Sequence, residues 1–190
     1  GRSWRSPRIA AVAKAAFYAR PAPFERDSCT RPRAAAETPM PFASHMPEAL
    51  AEARAAALRG EVPVGAVLVG ADGSVLARAG NRTRELSDPT AHAEILAIRA
   101  ACARLGSQRL PGARLWVTLE PCPMCAAAIS AARIATLYYG AEDPRMGGVR
   151  HGARVFDHPQ CHHRPEVIEG IGAAPSRALL REFFAARRGG

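Results

Sequence analysis

The chain has 190 residues, 48% of them hydrophobic and 23% charged, enough for one globular domain with a sizeable core. Its formal net charge is +9 and its pI about 10.3, which points to an acidic partner, although nearly all the positive charge is arginine, Lys14 being the only lysine. No apolar run is long enough to span a bilayer, and five cysteines in irregular spacing argue against a disulfide framework and for a reducing, cytoplasmic setting.

Residues 1–45 carry eight Arg or Lys against three Asp or Glu, so five of the nine net charges lie there. Pro7, Pro21, Pro23, Pro32, Pro39 and Pro41 interrupt any long helix and leave an Ala-rich piece from Ile9 to Ala19. The segment reads as a disordered basic extension, or as sequence upstream of a start at Met40 or Met46. An Arg-rich, acid-poor leader is also what an organelle-targeting peptide looks like. The folded domain is expected over 46–190.

Within that domain, Pro47 to Arg59 predicts a helix, with Leu50, Ala53, Ala57 and Leu58 on one side and Gly60 as its stop. Val64 to Val69 predicts a buried strand, Ala71-Asp72-Gly73 a turn, and Val75 to Ala79 a second strand. A polar loop from Asn81 to Pro89 leads to a helix from near His92 to Leu105, ended by Gly106. Leu115 to Leu119 is the next strand, Ala126 to Arg133 a helix that could open as early as Pro123, and Thr136 to Tyr139 a further strand. Gly147, Gly148 and Gly152 mark a flexible stretch before a His-rich segment from His158 to His163. Glu166 to Ile171 predicts a last strand, and Ser176 to Arg188 an amphipathic helix carrying Leu179, Leu180, Phe183 and Phe184. The alternation of helices and strands implies an α/β domain with helices on both faces of a sheet.

Two motifs stand at junctions between these elements: Ala91-His92-Ala93-Glu94 and Pro121-Cys122-Pro123-Met124-Cys125. One imidazole and two thiolates make three ligands for zinc and leave the fourth tetrahedral position for water, whose pKa the metal lowers to about 7. A helix opening at Pro123 would favour the thiolate form of Cys122 and Cys125. Glu94, two residues from His92, points away from it on a regular helix and so suits a general acid/base better than a ligand. Two other readings of the same residues stay open. A lone C-x-x-C after a strand also describes a thioredoxin-like redox pair, and Cys161, His162 or His163 as a fourth ligand would give a closed, inert zinc site. Cys102 fits a core position, Cys29 a loose thiol, and His151 and His158 surface positions.

The H-x-E…P-C-x-x-C pattern is the signature of zinc-dependent nucleobase deaminases, a resemblance rather than a derivation. With Glu61-Val62-Pro63-Val64-Gly65-Ala66-Val67, Asn81-Arg82, Leu119-Glu120 before the cysteines and Tyr139-Gly140-Ala141-Glu142-Asp143, the chain from Met46 to Arg188 resembles the tRNA-specific adenosine deaminases of the cytidine deaminase-like superfamily. That resemblance implies a three-layer α/β/α fold with a mixed five-stranded sheet. It implies zinc held by His92, Cys122 and Cys125, with Glu94 moving protons. It also implies Asn81 on the inserted base and Asp143 along the anticodon loop of tRNA. The implied enzyme is a homodimer that converts the wobble adenosine of an arginine tRNA to inosine. The chain departs from the family pattern at His162-His163, where an Asn-His pair is usual, and at Arg150, His151 and Arg154 in a segment that is ordinarily smaller and less charged. A zinc deaminase of a free base such as guanine shares the two motifs, and a non-catalytic zinc-stabilised RNA-binding module is the alternative from another class.

Overall fold

The computed structural model describes residues 43–188. The expectations for the leader, including the Ala-rich piece, Cys29 and a start at Met40, fall on residues outside these. Helix α1 spans Met46–Leu58, strands β1 Gly65–Val69 and β2 Val75–Gly80, helix α2 Ala93–Leu105, strand β3 Arg114–Leu119 and helix α3 Pro123–Ala131. Strand β4 is Thr136–Ala141, β5 Glu166–Ile168 and helix α4 Ala173–Arg188. The five strands form one sheet in the order β2-β1-β3-β4-β5. β1 runs antiparallel to β2 and β3, whereas β3, β4 and β5 are mutually parallel, so the sheet is mixed.

Strand side chains alternate between two cores, which makes the domain three-layered. Ala66, Leu68, Leu115, Val117, Leu137 and Tyr139 pack with Ala93, Ala97, Ile98 and Ala101 of α2 and with Ala126 and Ile129 of α3. Val67, Val69, Trp116 and Tyr138 face the other way, onto Met46, Ala49 and Leu50 of α1. The Trp116 and Tyr138 rings stack with centroids 3.8 Å apart. Being covered on both faces, β1 is buried along its whole length, which is why it reads as a continuous apolar run.

The closeness of α1 to the sheet depends on two paired glycines. Gly65 and Gly80 are register partners on β1 and β2. A Cβ on Gly65 would collide with the carbonyl oxygen of Ala49 and stand 2.5 Å from the nitrogen of Ala53, and one on Gly80 would stand 2.7 Å from the carbonyl oxygen of Glu52. Bare backbone on the strands therefore lets the α1 backbone lie directly on them.

Three expectations are corrected. The last strand stops at Ile168 rather than Ile171, because Gly170 and Gly172 adopt positive φ (83° and 72°) and turn the chain into α4. Helix α4 begins at Ala173, three residues early, since Pro175 still lies in the first turn, where no N–H is needed. The glycines at 147, 148 and 152 do not mark a flexible stretch. Gly147 and Gly148 are buried, and the segment is tied by hydrogen bonds from Gly147 N to Asp143 O, Gly148 N to Pro121 O and Val155 N to Gly148 O. Glycine serves there for close approach.

Candidate active site

Both motifs sit at helix N-termini. His92 is the N-cap of α2 and Cys122 that of α3, each with extended backbone, and Pro123 takes the first helical position, where a missing N–H costs nothing. Neither cap residue uses its side chain to cap its helix. The α2 terminus is capped instead by Asn81, whose Oδ1 accepts the N–H of Ala93 at 2.8 Å. The imidazole and the thiol are thereby released to face each other.

His92 Nδ1 lies 3.7 Å from Cys122 Sγ and 3.5 Å from Cys125 Sγ. A tetrahedral zinc with ordinary Zn–N and Zn–S bonds requires about 3.6 Å between nitrogen and sulfur. Both nitrogen–sulfur spacings therefore match that ion. Among the described residues these three form the one cluster of His, Cys, Asp and Glu donors close enough to share a metal. The closed four-ligand site is overturned. Cys161 Sγ contacts Ser130 Oγ at 3.4 Å, His163 Nε2 lies 2.6 Å from Ile134 O, and Arg133 donates to His162 O, all near the far end of α3. A thioredoxin-like reading leaves the convergence of His92 and Glu94 on the cysteine pair without purpose. Cys102 lies half-buried against the main core, as expected.

The three donors shift one another's protonation. A hydrogen bond from Cys125 and then one with His92 pull the pKa of Cys122 down to about 4. Cys125, which gives that hydrogen bond and is buried, is pushed up. The bond to Cys122 raises His92 above its ordinary value. A zinc ion bound there would displace protons from these donors, since it is held by thiolate sulfur and neutral imidazole nitrogen.

Glu94 is 3% exposed, and its Oε2 is buried with no hydrogen-bond partner. Desolvation pushes its pKa up. A buried carboxyl with an open oxygen beside a metal-donor trio is poised to exchange protons.

His92, Glu94 and Cys122 floor a cleft of about 490 Å³. Asn81 and Thr83 line it from the loop after β2, and Asp143, Arg145 and Met146 from the loop after β4. With its oxygen committed to Ala93, Asn81 has its amide nitrogen left to donate. The Oδ1 of Asp143 accepts the N–H groups of Arg145 and Met146 at 3.1 Å each, so this carboxylate shapes its own loop. Leu180 and Phe184 of α4 add an apolar portion, which amphipathicity alone did not assign to the cleft. A second cleft of about 480 Å³, lined by Arg109, Arg133 and His158 among others, contains none of the motif residues.

Sequence reasoning gave no role to two buried glutamates. Glu61 is 1% exposed and accepts the N–H groups of Arg84 and Glu85 and the hydroxyl of Thr83, at 2.9 to 3.0 Å. Glu120, 2% exposed, accepts the N–H groups of Asp143, Val149, Arg150 and His151. Burial alone would raise both carboxyls, but the hydrogen bonds outweigh it and hold both below the ordinary range. The available signal was a charged residue inside an apolar run, as in Leu119-Glu120-Pro121.

Residues 42–141 match the family model described as the cytidine and deoxycytidylate deaminase zinc-binding region. The tRNA-specific adenosine deaminase of Agrobacterium fabrum is 62% identical over 140 residues, which cover 74% of this chain and 91% of that protein. A solved structure described under A-to-I editing by tRNA:A34 deaminases at the wobble position of transfer RNA is also 62% identical. It has a TM-score of 0.70 and covers 72% of this chain and 99% of its own. A guanine deaminase from Nitrosomonas europaea, 22% identical with a TM-score of 0.66 over 85% of this chain and 100% of its own, shares the fold alone. The chain therefore belongs to the family of the cytidine and deoxycytidylate deaminase zinc-binding region and, within it, to the tRNA-specific adenosine deaminases.

Proposed function

We propose that this chain is a zinc-dependent hydrolase that converts adenosine to inosine at the wobble position of a tRNA, an arginine tRNA being the intended substrate. The observation that carries the proposal is the trio His92, Cys122 and Cys125 at zinc spacing, with the open oxygen of Glu94 beside it in an accessible cleft. When bound, zinc supplies a water whose pKa is lowered to about 7. Glu94 takes one proton from the attacking water as the C–O bond forms at the amino-bearing carbon, and passes it to ring N1. Glu94 then carries the remaining hydroxyl proton to the amine, the C–N bond breaks, and ammonia leaves. Asn81 holds the base through its amide nitrogen. The loop around Asp143 lies along the anticodon, whose unpaired bases are splayed into a pocket at little cost.

We take residues 46–190 as the deaminase domain, residues 1–45 as an extension, the assembly as a homodimer and the location as cytoplasmic. No described helix is long and apolar enough to cross a membrane. A chain starting at Met46 is expected to retain full activity. The decisive experiment is inosine mapping of tRNA after incubation with the zinc-loaded protein, with free guanine in parallel. Inosine at the wobble position is the expected product; ammonia release from guanine alone would overturn the proposal.

A further inference from the structure

We propose that Glu120 is a positioning residue for RNA recognition, which fixes residues 143–151 as a wall of the cleft; this rests on the proposed function. Glu120 directly follows β3 and precedes Pro121-Cys122, so its backbone is anchored between the sheet and the metal-binding turn. Its Oε1 accepts the N–H groups of Val149 at 3.1 Å, Arg150 at 2.8 Å and His151 at 3.0 Å. Its Oε2 accepts that of Asp143 at 3.1 Å and lies 2.7 Å from Nδ1 of His151. Five nitrogens from one nine-residue segment thus converge on a single carboxylate, and four of them are backbone groups. The segment is an anion-binding nest whose anion comes from the chain itself.

The segment is moulded to this partner. A Cβ on Gly147 would stand 2.6 Å from Cδ of Glu120, and one on Gly148 would stand 2.5 Å from the nitrogen of Pro123. The nest begins at Asp143, whose side chain in turn fixes the backbone of Arg145 and Met146. Arg145 lines the cleft as a cation, and Met146, 67% exposed, as an unburied apolar side chain. A cation beside an apolar contact at a cleft mouth suits the phosphate and base of a single-stranded nucleotide flanking the target. His151 closes the nest with its side chain as well as its backbone N–H.

Glutamine at position 120 keeps the shape but replaces one acceptor oxygen by an NH₂ donor, which then faces the donors of the segment. The test is steady-state deamination of an anticodon stem-loop by zinc-loaded full-length Glu120→Gln. The expected result is a KM raised roughly tenfold or more, with kcat within about twofold and zinc content unchanged, because only substrate binding is disturbed. An unchanged KM, or a kcat loss that tracks loss of zinc, overturns the inference. If Glu120→Gln does not fold, His151→Ala carries the test, since it removes one of the five contacts and keeps the carboxylate. A KM increase of about two- to fivefold is then expected, and an unchanged KM overturns the inference. Wild-type protein that forms no inosine removes the proposed function, and this inference falls with it. Wild-type activity with insensitive variants removes this inference alone.

Discussion

Glu94→Gln separates the proton carrier from the metal site. Glutamine is isosteric, so the cleft keeps its shape and only the capacity to accept a proton from water is lost. A positioned general acid/base contributes about 10²- to 10⁴-fold, or roughly 3–5.5 kcal/mol of barrier. Both proton transfers in the proposed reaction pass through this carboxyl, so the loss should lie towards the upper end of that range. Stability should not fall with activity. The wild-type side chain is 3% exposed with one oxygen unpartnered, and burial raises its pKa, so a neutral amide relieves the fold of a poorly solvated ionisable group. Zinc content should also hold, since Glu94 is not among the clustered donors. The assay is single-turnover inosine formation in an anticodon stem-loop, with elemental zinc and Tm measured on the same preparation. A variant retaining more than about a tenth of the wild-type rate would refute Glu94 as the proton carrier. Zinc lost in parallel with activity would refute the three-residue metal site.

Three further outcomes follow from the same geometry. Chelation should abolish activity and zinc should restore it in the wild type, whereas Cys125→Ala should show low zinc content and no restoration; full zinc occupancy in that variant would remove Cys125 from the site. Gly65→Ala forces a Cβ into the α1 backbone at Ala49 and Ala53, and overpacking of this kind costs about 1–3 kcal/mol, roughly 2–12 °C in Tm. An unchanged Tm would mean that α1 does not rest on the strand as described. The hydrogen bond to Glu120 raises the pKa of His151 above its ordinary 6.5, so this group stabilises the fold below that value, and the contribution is lost as pH rises through the raised pKa. The Tm deficit of His151→Ala should therefore be largest in mildly acidic buffer and shrink towards alkaline pH; a deficit that grows with pH would contradict the pairing.

Much of the architecture was legible because its signals are local. Pro123 at a helix start, Gly106 in left-handed conformation (φ 61°) at a helix end and the continuous apolar run of β1 act within about one turn of chain or one strand. The candidate metal ligands, which the structure brings together, were legible for a related reason. Both motifs sit at helix N-termini, which sequence can place, and the chemistry of one imidazole and two thiols narrows the possible ion. The buried glutamates were not legible in the same way. Glu61 finds its partners 22 to 24 residues along the chain and Glu120 finds its own 23 to 31 residues along, in loops with no periodicity to read.

By itself, then, the sequence determined most of the elements, the α/β class and the candidate donors of the site, since these depend on neighbours within a few residues. Only the tertiary structure decided that Gly65 and Gly80 lie side by side beneath α1. It alone seated Phe184 of the last helix on the cleft, and turned Gly147 and Gly148 from an expected flexible stretch into close contacts around Glu120 and Pro123. Each of these depends on which backbone atoms meet across distant segments, and that is settled when the layers pack and buried polar groups find their partners.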